Sequence, residues 1–191
     1  MKTTVEAKWR EFEQAVQDLT PAKRTAFATF VASRAARYYL EYCGNRGCPD
    51  PKLTSDLLEM AWRVAEVGGT KGDPTAFRNR LEAVAEQLDS SADSSGAAAQ
   101  EACFACIVLC EILAGENDAK QTMRVVSFLR DITDMIVQDR AALDANTDQL
   151  EADILCHSLM TDELAKVSRA LDAASAYPPG GELVAQLRGL S

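Results

Sequence analysis

The chain has 191 residues, of which 47% are hydrophobic and 26% charged, with two Trp and six Phe; this length and composition predict one globular domain with enough apolar material for a core and exclude a disordered chain. A net charge of −9 argues against a nucleic-acid binder that tracks phosphates. No apolar run approaches about 18 residues, so no membrane-spanning helix is expected; the charged start MKTTVEAKWREFEQ lacks a signal peptide's apolar stretch, so cytoplasmic residence is expected.

Alanine occurs 31 times and β-branched residues are scattered, which favours helix because alanine loses no side-chain entropy there. Val5, Trp9, Phe12, Val16 and Leu19 step by four and three residues and form one helical stripe. Thr20-Pro21 reads as a cap followed by a first-turn proline. The helix it starts carries Phe27, Phe30, Val31, Tyr38 and Tyr42, with Gly44 as its stop. GNRGCPDPK at 44–52 is a loop, and Thr54 or Ser55 is the next cap. Leu57, Leu58, Ala61, Trp62 and Ala65 give the third helix its buried face, and Gly68-Gly69 ends it. Asp73-Pro74 repeats the cap-and-proline start, before a stripe of Phe77, Leu81, Val84 and Leu88.

DSSADSSG at 89–96 is a polar linker. ACFACIVLCEILA at 102–114 is apolar on nearly every face and predicts the central buried helix. Asn117 or Asp118 caps the next helix, with Val125, Val126, Leu129, Ile132, Met135 and Ile136. After a break near 144–147, one further helix uses Leu150, Ile154, Leu155, Leu164, Val167 and Leu171. YPPGG at 177–181 terminates it, leaving 176–191 as a terminal appendage that forms a short helix or a docking segment. The expectation is an all-α, single-domain bundle of about seven helices over residues 1–191.

The charge is uneven. Residues 1–80 hold 13 Lys and Arg against 10 Asp and Glu, a net +3; residues 81–191 hold 7 against 19, a net −12. That is either a solvated acidic surface or a patch that steers toward a basic protein partner.

Six cysteines invite metal or redox chemistry. Cys103, Cys106 and Cys110 lie on one helix face, but positions i to i+7 span about 10 Å, too far for one metal, so they read as small buried hydrophobes. Cys43, Cys48, Cys156 and His157 offer a three-thiolate, one-imidazole zinc set whose spacing matches no common zinc module. Cytoplasmic residence argues against disulfides, so burial of Cys43 and Cys156 with Cys48 half-exposed is the expectation. His157 is the only histidine, which leaves little room for a catalytic triad. Asp153 stands one turn before it for a helical contact. No basic residue follows it as in a phosphoacceptor helix, and Ile154 occupies the Glu position of a di-iron motif. GGTKGDP at 68–74 follows no strand and is a turn. No catalytic residue, cofactor or metal ligand is assigned, and the protein is expected not to be an enzyme.

Glu111 is the odd residue in the apolar helix, since a buried carboxylate needs a partner. Arg34 lies among Ala32, Ser33, Ala35 and Ala36 and is the expected partner, as an Arg34–Glu111 ion pair. Trp9 and Tyr177 are candidate interface anchors, or equally core-packing residues.

Leu19, Phe27, Arg34, Tyr39, Tyr42-Cys43, Gly47, Asp50, Leu58 and Trp62 stand, without a gap, in the pattern of a bacterial family, the domain of unknown function 416. Ala105-Cys106, Leu109 and Glu111 resemble that family's Ala-Cys helix. The resemblance covers about residues 15–140, and the chain departs from it at Cys48, Pro51 and the YPPGG tail. It implies a small all-helical protein without assigned catalytic residues, and it adds support to the Arg34–Glu111 pair.

Three functions follow as expectations. The first is a non-catalytic protein-binding module, in its specific form an acidic inhibitor or immunity-type protein that neutralises a basic toxin. The second is a signalling or regulatory accessory that senses a small ligand. The third is a metal-binding protein using Cys and His.

Overall fold

The structure, a computed structural model, describes residues 2–48, 50–68, 72–88, 93–141 and 150–190, without the side chains of 2–9 and 151. Among these residues there are nine helices and no strand: α1 (Lys2–Asp18), α2 (Pro21–Arg46), α3 (Leu53–Val67), α4 (Pro74–Gln87), α5 (Ser94–Leu113), α6 (Ala119–Ala141), α7 (Leu150–Cys156), α8 (Ser158–Ala176) and α9 (Gly181–Leu190). The all-α bundle expected from the sequence is what forms.

Local signals set most boundaries. Pro21 opens α2 after an extended Thr20. Asp73 caps α4 by accepting from the Thr75 and Ala76 amides, which satisfies donors that the helix itself leaves open. Asp118 accepts from the Gln121 amide at the start of α6. Gly44 does not stop α2; the helix runs three residues on and ends at Gly47, where φ is +74° and the amide donates to the Cys43 carbonyl. A left-handed φ at a helix end favours glycine.

Three further boundaries differ from expectation, while the tail takes the helical one of its two expected forms. Helix α3 begins at Leu53 after Lys52, ahead of the Thr54 or Ser55 cap. Helix α5 begins at Ser94, because Asp93 accepts from the Gly96 amide and turns the second half of the polar linker into a first turn. The single helix expected after residue 150 is two. His157 is extended (φ −67°, ψ 138°), and its Nδ1 accepts from the Leu159 amide, so the only histidine caps α8 and separates it from α7. The terminal appendage is helix α9, and Leu183, Val184 and Leu187 on one face bury it against α2, α3 and α8. These two added helices carry the count past seven. The break expected at 144–147 and linker residues 89–92 lie outside the described residues.

Helix α5 sits at the centre, with α2, α4 and α6 packed around it. With its early start it is the one helix among the described residues long and apolar enough, by length and composition, to cross a membrane. Most of it is buried inside the bundle, as a soluble core helix also would be. Helix α2 is the second axis. One side brings Phe27, Phe30 and Val31 to the core, and the helix also meets α3, α6, α8 and α9. A smaller apolar cluster of Val137, Ile154 and Met160 seats α7 and the start of α8 on the end of α6.

Candidate binding cleft

The small residues beside Arg34 let neighbouring helices approach α2 closely. Arg34 therefore leaves the helix surface already enclosed, with 3% of its side chain exposed. It projects toward α8, where Glu163 is equally buried. The pair is bidentate: Arg34 Nε donates to Glu163 Oε2 at 3.1 Å and Nη2 to Oε1 at 2.5 Å. Arg37, one turn on, donates from Nη2 to the same Oε1 at 2.9 Å and from Nε to the Arg34 carbonyl. Lys166 Nζ lies 3.8 Å from Glu163 Oε1. Burial pushes the Glu163 carboxyl up, but hydrogen bonds and charge from Arg34, with Arg37 behind, hold it below its ordinary value. The same carboxylate, after burial, raises the Tyr38 phenol, and the Arg37 guanidinium lies 5.7 Å from the Tyr38 ring centre.

The expected Arg34–Glu111 pair does not form. Glu111 projects from α5 to the rim between α4 and α6, where Arg124 donates to it at 3.1 Å and Arg78 stands 3.7 Å away. Arg34 and Glu111 leave their helices toward different neighbours. Helical periodicity places a residue on a face but does not say which helix meets that face.

Above the Arg34–Glu163 pair lies an open cleft of about 260 Å³, lined by Ser33, Arg34, Arg37, Glu59, Trp62 and Arg188. Helix α9 supplies Arg188, whose guanidinium sits 5.4 Å from the Trp62 ring centre. Its Nη2 is 3.4 Å from both oxygens of Glu59, a pair that is about half exposed. Arg34 Nη1 carries no hydrogen bond among the described residues. Thr54 Oγ1 is the one side-chain atom among them sealed from solvent without a partner, so Arg34 Nη1 opens outward through the cleft that Arg34 lines.

The cysteines divide three ways. Cys43 and Cys48 form a disulfide, with Cα atoms 4.9 Å apart, contrary to the expectation of free thiols. The short loop after α2 folds Cys48 back onto the helix's last turns. Cys103, Cys106 and Cys110 are buried as expected, and burial pushes the Cys103 and Cys110 thiols up to about 12 and Cys106 well above its ordinary value. Cys156 is exposed rather than buried. Among the described residues no three His, Cys, Asp or Glu side chains gather as a ligand set, so Cys43, Cys48, Cys156 and His157 do not come together as one. Asp153 and His157 do not share an uninterrupted helix. Tyr177 is half-buried against the core, and the Trp9 side chain is outside the described residues.

Glu59, Glu163, Arg37 and Arg188 were missed as site residues. One signal was present: Arg34 and Arg37 stand three apart, on one helical face.

The bundle and cleft define a class: an all-helical protein that fixes two arginines on a buried carboxylate and presents them beside a tryptophan. The chain belongs to the family described as protein of unknown function (DUF416), which it matches over residues 11–190. The match reaches beyond the expected residue 140 and includes α7, α8 and the whole of α9. The crystal structure of a DUF416 family protein from Shewanella baltica OS155 has the same fold, with a TM-score of 0.82 at 20% identity over 93% of this chain and 91% of that one. No curated protein matches the chain. Arg34 and Trp62 are both positions that carried the family resemblance in the sequence.

Proposed function

We propose that this protein is a non-catalytic protein-binding module that grips an anionic group of its partner in the α2–α3–α9 cleft. The observation that carries the reading is Arg34. It is almost wholly buried, fixed by two bonds to Glu163, and still has one amine facing the cleft. A guanidinium held in this way is already ordered, so binding does not have to immobilise a long flexible side chain. The cleft is open and about 260 Å³, below the roughly 300–1,000 Å³ of sites that enclose a small molecule. It suits a group protruding from a larger partner better than a whole ligand, which favours protein binding over small-ligand sensing.

Native mass spectrometry of the protein isolated gently from its host, as wild type and as the Arg37→Gln/Arg188→Gln variant, tests this. A bound polypeptide present on the wild type and lost from the variant is the expected result. A partner held equally by both places recognition elsewhere.

The charge asymmetry favours a second reading, the acidic inhibitor of a basic toxin. Residues 81–191 carry −12, and electrostatic steering by such a surface speeds capture of a cationic partner. On that reading the association rate falls steeply with salt, and lysine substitutions on the later helices slow capture without unfolding the bundle. A rate unchanged by both removes it.

A further inference from the structure

We infer that the group taken by the cleft is a phosphoryl dianion; this rests on the reading of the cleft as an anion receptor. The charges lining the cleft carry the argument. The cleft is lined by Arg34, Arg37 and Arg188 against Glu59, which leaves +2 at its surface, with Glu163 behind Arg34 and Arg37 and Lys166 behind Glu163. This local excess sits on a chain whose net charge is −9. A phosphomonoester carries about −1.5 to −2 at neutral pH and three strong acceptor oxygens, so it matches both the charge and the number of guanidinium groups. A carboxylate carries −1 and leaves one cation unmatched.

The donors are spread in a way that suits a tetrahedral group. Among the described residues, Arg34 Nη1, Arg37 Nη1 and the Nε and Nη1 of Arg188 have no hydrogen bond. They come from two helices on different sides of the cleft, whereas a planar carboxylate offers two oxygens in one plane to a single fork. Glu59 does not block entry, because its pair with Arg188 is exposed and long at 3.4 Å, and exposed pairs contribute little. An arriving phosphoryl group takes Arg188, and Glu59 turns out to solvent. The Trp62 ring lies beneath Arg188 and is itself buried, so its indole senses what happens at Arg188 without facing solvent.

The test is a titration followed by NMR at the Trp62 indole, with phenyl phosphate, phenyl sulfate and benzoate as probes. Phenyl phosphate is expected to bind at least about tenfold more tightly than the other two, one ionic hydrogen bond's worth of discrimination. Equal binding of all three overturns the phosphoryl assignment and leaves the anion-binding cleft standing. No binding by any of them overturns both. Arg37→Gln and Arg188→Gln, at half-exposed side chains, are each expected to weaken phenyl phosphate about tenfold; the melting temperature stays near the wild type for Arg188→Gln and falls modestly for Arg37→Gln, which loses one bond to Glu163. Unchanged affinity in both variants overturns the placement. A phosphoserine tripeptide identifies the source. Tighter binding than phenyl phosphate assigns the phosphoryl group to a protein partner, weaker binding assigns it to a small phosphoester, and both support the proposal.

Discussion

Helix α2 is held on two sides by different physics. Toward α5 it offers Ala, Phe and Val to a helix whose buried face is Ala, Cys, Ile, Val and Leu. Toward α8 it offers two arginines, the buried Arg34 and the half-exposed Arg37, to one glutamate. The first contact is non-directional and scales with the area removed from water. The second depends on donor and acceptor geometry and on both partners being present. An aliphatic interface loses stability in proportion to what is cut away. The ionic one fails in a larger single step, because the survivor is a buried charge that has lost its bidentate partner.

Arg34→Ala should therefore give the largest loss, about 3–5 kcal/mol in urea unfolding, because Glu163 stays buried with only Arg37 and Lys166 near it. The paired change Arg34→Met/Glu163→Leu should recover most of that loss and still abolish anion binding in the cleft. If the double variant is as unstable as the single, the α8 contact is packing and the contrast collapses. Leu109→Ala, at a fully buried α5 position, should lose about 3 kcal/mol through a cavity, and anion binding should survive it.

pH separates the two sides further. The folded Glu163 carboxyl titrates below its ordinary value because the charge and bonds of Arg34 and Arg37 outweigh burial. The stability it adds is thus full above the unfolded carboxyl value and is lost only as pH falls through the lower folded value. Glu163→Gln should be destabilising from neutrality down to mild acid, with the gap to wild type closing at more acidic pH. A gap independent of pH would mean that the carboxylate charge plays no part.

Reduction of the Cys43–Cys48 disulfide should lower stability by about 2 kcal/mol, the loop-closure value for so short a segment. Urea curves with and without a reductant read this directly. Glu101→Gln should give the smallest effect, a gain of about 0.5 kcal/mol near neutral pH. Burial first, and Asp131 second, raise the Glu101 carboxyl, so its charge opposes folding once ionised. The gain should disappear as pH falls and Glu101 takes up its proton. A loss at neutrality would assign the Glu101 charge a stabilising role.

The apolar side of this comparison was legible in the sequence and the ionic side was not. Stripes such as Phe77, Leu81, Val84 and Leu88, and signals such as Asp73-Pro74, act within a few residues, so they read correctly. The composition of 102–114 marked α5 as central for the same reason. Arg34 was recognisable as a charge on a helix of small residues. Its partner was not, because Glu163 lies 129 positions away and nothing local says that α8 rather than α5 covers that face. The cleft is harder still, since its side chains come from three helices, α2, α3 and α9, the last giving only Arg188. His157 shows a local signal misjudged: a lone imidazole inside an apparent helix was its cap, and the chain restarted there.

The cysteines of α5 give the molecule a clock. Cys103, Cys106 and Cys110 are enclosed and held as thiols, while Cys156 alone among the free cysteines is exposed. A thiol reagent added to the native protein meets Cys156 in a first wave and reaches the α5 trio only when the centre opens, since reaction needs both access and thiolate. The delay between the two waves times the opening of the bundle, with no label or substitution required.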